Sequence, residues 1–161
     1  MAQIPMVSQT SLVGSIPAVV VLGIFIFAAI ALSSRHGILY GVAAYFALRL
    51  ILHAIPSSHR KGVSEVRAGQ FSEALPRFHR SFEFFDSRRW LDDYRALFLL
   101  SPSAISYREM ALANLGFCYA QLGDGRNARK CYERCLELFP ESLIASSALA
   151  MLDSGANRND G

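Results

Sequence analysis

The chain has 161 residues, with 16 Lys and Arg against 13 Asp and Glu, for a formal net charge of +3. That length suits one modest domain plus some further structure. The excess of cations is small and scattered, which argues against a nucleic-acid surface, since that needs a clustered basic face.

Charge is distributed unevenly along the chain. Before Arg60 the only charged side chains are Arg35 and Arg49, and the first acidic residue is Glu65. Beyond that point acids and bases are interspersed. The three cysteines, Cys118, Cys131 and Cys135, form no paired framework and read as reduced thiols serving as small apolar side chains. The four histidines, His36, His53, His59 and His79, all lie well upstream of them. No metal site and no cofactor is expected.

In chain order, residues 1–11 read as a tail without the basic segment of a signal peptide. Residues 12–32, "LVGSIPAVVVLGIFIFAAIAL", carry no charge. They have the length of about 20 residues that a helix needs to cross a bilayer. "SSRHG" makes a tight connection with Gly37 as the breaker. Residues 38–55 then form a second apolar span, which Pro56 ends. The first third is thus expected to be a transmembrane helical hairpin in the lipid bilayer. Arg49 and His53 share one face of the second span. Arg49 lies about 9 Å of helix rise from Ile55, close enough to snorkel to the headgroups; an intramembrane polar site is the alternative. Arg60, Lys61 and Arg67 follow the second span, whereas only Arg35 lies in the loop. By the positive-inside rule, both termini and everything after the hairpin belong on the cytoplasmic side.

Residues 57–152 read as a helical domain of five or six helices, with 153–161 as a flexible tail. The most regular stretch is "LANLGFCYAQLGDGRNARKCYERCLELFP", residues 112–140. Leu112, Leu115, Gly116, Tyr119, Ala128, Tyr132 and Pro140 fill, in order, the slots of a pattern with a period of about 34 residues. Leu stands for Trp and Tyr for Phe. Over residues 109–142 the chain therefore resembles a tetratricopeptide repeat (TPR). The small residues Gly116 and Ala128 would let two antiparallel helices approach, and the apolar residues would fill their seam. Gly123-Asp124-Gly125 is the turn, with Asp124 or Gly125 capping the second helix, and Cys135 reads as core filler.

A weaker copy covers residues 57–88, where Gly62, Gly69, Ala74, Phe78 and Ser81 match. Glu65 replaces an aromatic and Asp86 stands in the place of proline, so the second half of this unit is the better specified. Ala74 and Ala128 are 54 residues apart, one period plus roughly 20 residues. Within that excess Trp90, Leu91, Tyr94, Leu97 and Phe98 have helical spacing, and Ser101-Pro102 marks a helix start. Residues 142–152 would cap the last repeat.

No phosphate loop, nucleophile elbow or metalloprotease motif is present, so no catalytic residue is assigned and an enzyme is not expected. Asp92 and Asp93 are adjacent on a helix, about 100° apart, and read as a solvated face; His79 reads as a surface residue. A catalytic reading would need a deep polar pocket around Asp92, Arg95 and His79.

The resemblance implies protein binding on a concave face built from first helices, here Met110, Ala113, Asn114, Phe117 and Gln121. Relatives that clamp a terminal carboxylate use Lys, Arg and Asn there. Only Asn114 is of that kind here, so an apolar helix or extended segment is the expected ligand. Phe84 and Trp90 are candidate aromatic contacts beside arginines. Taken together, the residues read as an all-α, membrane-anchored scaffold, an adaptor for protein partners in the same membrane. The alternative is an accessory or assembly subunit whose spans pack on other subunits through small residues such as Gly23, Ala28, Ala29, Gly41, Ala43, Ala44 and Ala47.

Overall fold

The computed structural model describes residues 16–32, 36–99 and 103–159. The tail 1–11, the first residues of the first span, loop residues 33–35 and the Ser101-Pro102 start signal lie outside that set. All the helices and strands that the described residues form are α-helices. They divide into two compact units, one from the described parts of residues 1–57 and 89–106, the other from 58–88 and 107–161.

The first unit opens with α1 (Ile16–Leu32) and α2 (Gly37–Ala54), which pack against each other. α2 starts at the glycine read as a breaker, because that glycine has a packing role. A Cβ on Gly37 would lie 2.6 Å from Ala29 O, and one on Gly41 would lie 2.7 Å from Phe25 O. Gly37 and Gly41 are one turn apart, so only bare backbone lets α1 come this close. The outward faces remain apolar: Val19, Ile24, Phe27, Phe46, Leu50 and Ile51 are all exposed. Among the described residues α2 is the one helix long and apolar enough to cross a bilayer, with a mean hydropathy of 1.5. α1 has 17 residues and falls just short.

The rest of this unit is the inserted segment, which is not a single helix. It breaks at Tyr94 into α5 (Arg89–Asp93) and α6 (Arg95–Phe98). The break corrects the reading of Asp92 as solvated. Asp92 is fully buried, on the same inward side as Leu91 and Leu99, while Asp93 is exposed.

The second unit contains α3 (Ser57–Arg67, entering the unit at Ser58), α4 (Phe71–Asp86), α7 (Tyr107–Gln121), α8 (Gly125–Leu138) and α9 (Leu143–Asn159). Its core gathers Val66, Ala74, Phe78, Leu112, Leu115, Cys118, Ala128, Tyr132, Cys135 and Ala145. α4 packs on α7, α7 on α8, and α9 covers α8. α9 runs past the expected end at residue 152. Arg129 of α8 pairs with Asp153 there and ties down a turn that composition alone would leave loose.

Both helical pairs use the same joint. Gly69 and Gly123 have φ of +76° and +79°, the left-handed region that glycine enters at least cost. The next residue donates its N–H back to the carbonyl five earlier, Gln70 to Glu65 and Asp124 to Tyr119, each at 2.9 Å. This closes the helix end and satisfies its last carbonyls. The Asp124 carboxylate then accepts from the Asn127 N–H at 3.0 Å, capping α8.

The seams match as well. A Cβ on Gly116 would lie 2.6 Å from the Tyr132 ring, and one on Gly62 would lie 3.0 Å from the Phe78 ring. Gly116→Val should therefore destabilise the repeat unit by about 2–3 kcal/mol, because the buried Tyr132 ring has nowhere to go. Gly125→Ala, where nothing lies within 4 Å, should be neutral or slightly stabilising. Thermal unfolding in mild detergent, followed by circular dichroism, compares the two.

Candidate protein-binding surface

The expected binding face lies on the first helix of each pair, α3 and α7, and much of α7 is buried. Of the residues expected on it, Gln121 is exposed and Met110 and Asn114 are half-buried. Ala113 is buried. Phe117 is half-buried, with its ring edge-on to Phe71 at 5.9 Å. Packing between the pairs has taken up part of the apolar surface read from the sequence. What remains open on α7 is more polar.

Phe84 and Trp90 lie in different units. Phe84 is half-buried, edge-on to Phe85 at 5.1 Å, with the Arg88 guanidinium 4.6 Å from its ring centre. Trp90 is exposed and meets Phe98 edge-on at 5.1 Å.

Leu112, Leu115, Gly116, Ala128, Tyr132 and Cys135 are buried, Tyr119 is half-buried, and Pro140 is exposed just after α8. In the weaker pair Gly62, Ala74, Phe78 and Ser81 are buried, and Gly69 forms the turn. α3 forms in spite of Glu65, whose carboxylate accepts from Arg77 Nε at 3.1 Å on the outer side of the pair. Residues 110–142 match the family model described as tetratricopeptide repeat. The α7–α8 hairpin is a tetratricopeptide repeat. No curated protein and no solved structure matches the chain.

Besides Asp92, two buried polar groups that escaped the sequence reading lie where the pair 57–88 meets this repeat. His59 is buried; its Nδ1 shares a hydrogen bond of 3.2 Å with Ser81 Oγ. Its ring stands edge-on to Phe78 and to Tyr107, each at 5.4 Å, and Tyr107 stacks on Phe85 at 4.6 Å. The 54-residue offset aligns His59 with Ala113 and Ser81 with Cys135, all four buried, but the spacing put Ala113 on the outer face and so did not mark His59. The second group is Arg108, also buried, with Nη1 3.7 Å from Asp86 and its guanidinium 5.5 Å from the centre of the Phe139 ring. Asp86, which stands in the place of the repeat's proline, thus ties α4 to the start of the tetratricopeptide hairpin.

The chemistry available is limited. Burial pushes the thiols of Cys118, Cys131 and Cys135 up to about 11, so all three are protonated at neutral pH and poor nucleophiles. Arg95 donates to the backbone carbonyls of Ser103, Asp92 and Ala104. His79 is exposed on α4. A shallow recess of about 450 Å³ lies along α3 and α4, lined by Glu65, Glu73, Pro76, Arg77 and Arg80; the Arg77–Glu65 pair sits inside it.

His59 makes stability depend on pH. Burial, with the nearby charge of Arg60 adding to it, lowers its pKa from 6.5 to about 4. Between those values the unfolded chain binds the proton more readily, so stability is complete above pH 6.5 and falls as pH drops towards 4. The full loss is about 3 kcal/mol, at 1.36 kcal/mol per unit. Denaturant unfolding at pH 7 and pH 5 should show this weakening, and His59→Gln should flatten it. Arg108→Ala should cost about 2 kcal/mol at neutral pH, below the range for a fully buried pair because Asp86 keeps some contact with water.

Proposed function

We propose that the chain is a membrane-anchored tetratricopeptide scaffold that binds a protein partner, an adaptor held at the cytoplasmic face by α1 and α2. The tetratricopeptide hairpin at residues 110–142 carries the binding half of this reading, because repeats of this kind are protein-interaction modules. The anchoring half is supported by the two packed helices, whose outward faces are almost wholly apolar. A helix apolar all round needs either a large protein core or lipid around it, and α2 is exposed over most of its length.

Anchoring increases binding without new contacts. A scaffold confined to the membrane meets partners in the same membrane at high effective concentration. With a short groove, affinity for an isolated segment should be modest, and the ligand an apolar helix or extended peptide that lies along α7 beside Asn114 and Gln121. A second reading, an accessory subunit whose spans pack on other membrane helices, is favoured by Gly23, which is exposed with nothing within 4 Å of where a Cβ would be. Gly41, by contrast, is already used within the hairpin.

Three measurements test these readings. Alkaline carbonate should leave the full chain in the membrane pellet, and release into the supernatant would overturn the anchor. A Cys in place of Ser34 should react with a membrane-impermeant maleimide from the non-cytoplasmic side only, since the basic residues follow α2. Exchange of residues 12–55 for an unrelated two-span anchor should preserve partner capture; loss of capture would favour the subunit reading.

A further inference from the structure

Three large aromatic side chains lie along one face of the inserted segment without cover. Trp90, Tyr94 and Phe98 are spaced four residues apart and are 54%, 63% and 43% exposed. The face is continuous across the break between α5 and α6. Tyr94 N–H donates to Trp90 O, and Phe98 N–H to Tyr94 O, each at 3.0 Å. Phe98 meets Trp90 edge-on at 5.1 Å and Tyr94 at 6.5 Å, so the rings form one cluster.

The opposite side of the segment is fixed. Leu91, Asp92 and Leu99 are buried. Arg95 bonds three backbone carbonyls, those of Asp92, Ser103 and Ala104, and holds the returning chain. The aromatic face is therefore held outward by a rigid support. A protein surface in water rarely leaves such a patch open unless something covers it.

The segment belongs to the same compact unit as the apolar hairpin, and α6 approaches α1 within it. We propose that Trp90, Tyr94 and Phe98 form an interfacial foot that inserts into the headgroup layer of the bilayer crossed by α1 and α2, a proposal that rests on the membrane reading above. Trp and Tyr suit that layer, since each has an apolar ring for the acyl boundary and a polar tip for the hydrated side. The helical hydrogen bonds pair the backbone internally, so insertion leaves few amides without partners. Arg89 and Asp93 beside the rings are both exposed and opposite in charge, so a zwitterionic headgroup layer suffices. The expected depth is about 5–10 Å, where amphipathic elements settle.

Trp90 is the single tryptophan of the chain and reports directly on this question. The probe is the full chain reconstituted into phosphatidylcholine vesicles that contain lipids brominated near the headgroup end or near the methyl end of the acyl chain. Sedimentation through alkaline carbonate establishes integration first. With integration, the proposal expects blue-shifted emission, stronger quenching by shallow than by deep bromines, and weak quenching by aqueous acrylamide. Tyr94→Ser with Phe98→Ser should weaken the shallow quenching and restore access to acrylamide. If the chain is integrated but Trp90 is open to acrylamide and untouched by bromines, the foot is refuted and the anchor stands. Shielding from both quenchers means that protein covers the rings, and the foot is again refuted. Failure to integrate overturns foot and anchor together.

Discussion

The fold depends on helices meeting where a side chain is missing. In the tetratricopeptide hairpin the Tyr132 ring occupies the space that a Cβ of Gly116 would need, and Phe78 does the same over Gly62. In the apolar hairpin Gly37 and Gly41 play this part against the backbone of α1. An aromatic ring laid on bare backbone gains dispersion contact over its whole face, which a more distant crossing loses. The two hairpins differ in polarity, yet the packing solution is the same, because close approach raises contact density.

These joints make the pair 57–88 and the tetratricopeptide hairpin equivalent in detail. Glycine at the seam, alanine at the crossing, a left-handed glycine at the turn and a small buried residue on the second helix recur at one offset. Differences appear where the two pairs face each other. Ser81 and His59 form a polar contact where the other hairpin has Cys135 and Ala113, and Asp86 reaches Arg108 where the other has Pro140. The junction is thus more polar than the seams within each pair. His59 and Ser81 share a hydrogen bond there, and Arg108 meets Asp86 at ion-pair distance.

What could be read from sequence follows from the range of the interactions. The seam glycines, the GDG turn, the Asp124 cap and the core cysteine were legible, because each acts within one hairpin and leaves a local spacing. His59 and Arg108 were not, since their partners lie on helices distant in sequence and a lone polar residue carries no periodicity. The break at Tyr94 and the burial of Asp92 escaped for a related reason: a helical spacing of aromatics says which residues share a face, but not where the axis bends. The face expected to bind is partly filled by packing. Spacing places Ala113 and Phe117 on the outer side of α7, but other residues come to cover them, Phe71 among these.

The stacking of α4 on α7 has a consequence for how the chain can vary. The two helices meet directly, although the segment 89–106 leaves and returns between them. Closing a longer excursion costs only about 0.6 kcal/mol for each doubling of its length. The interface is therefore nearly indifferent to what is threaded through that gap. It works as a port, at which evolution or an engineer can exchange one accessory module for another while the stacked pairs stay in register.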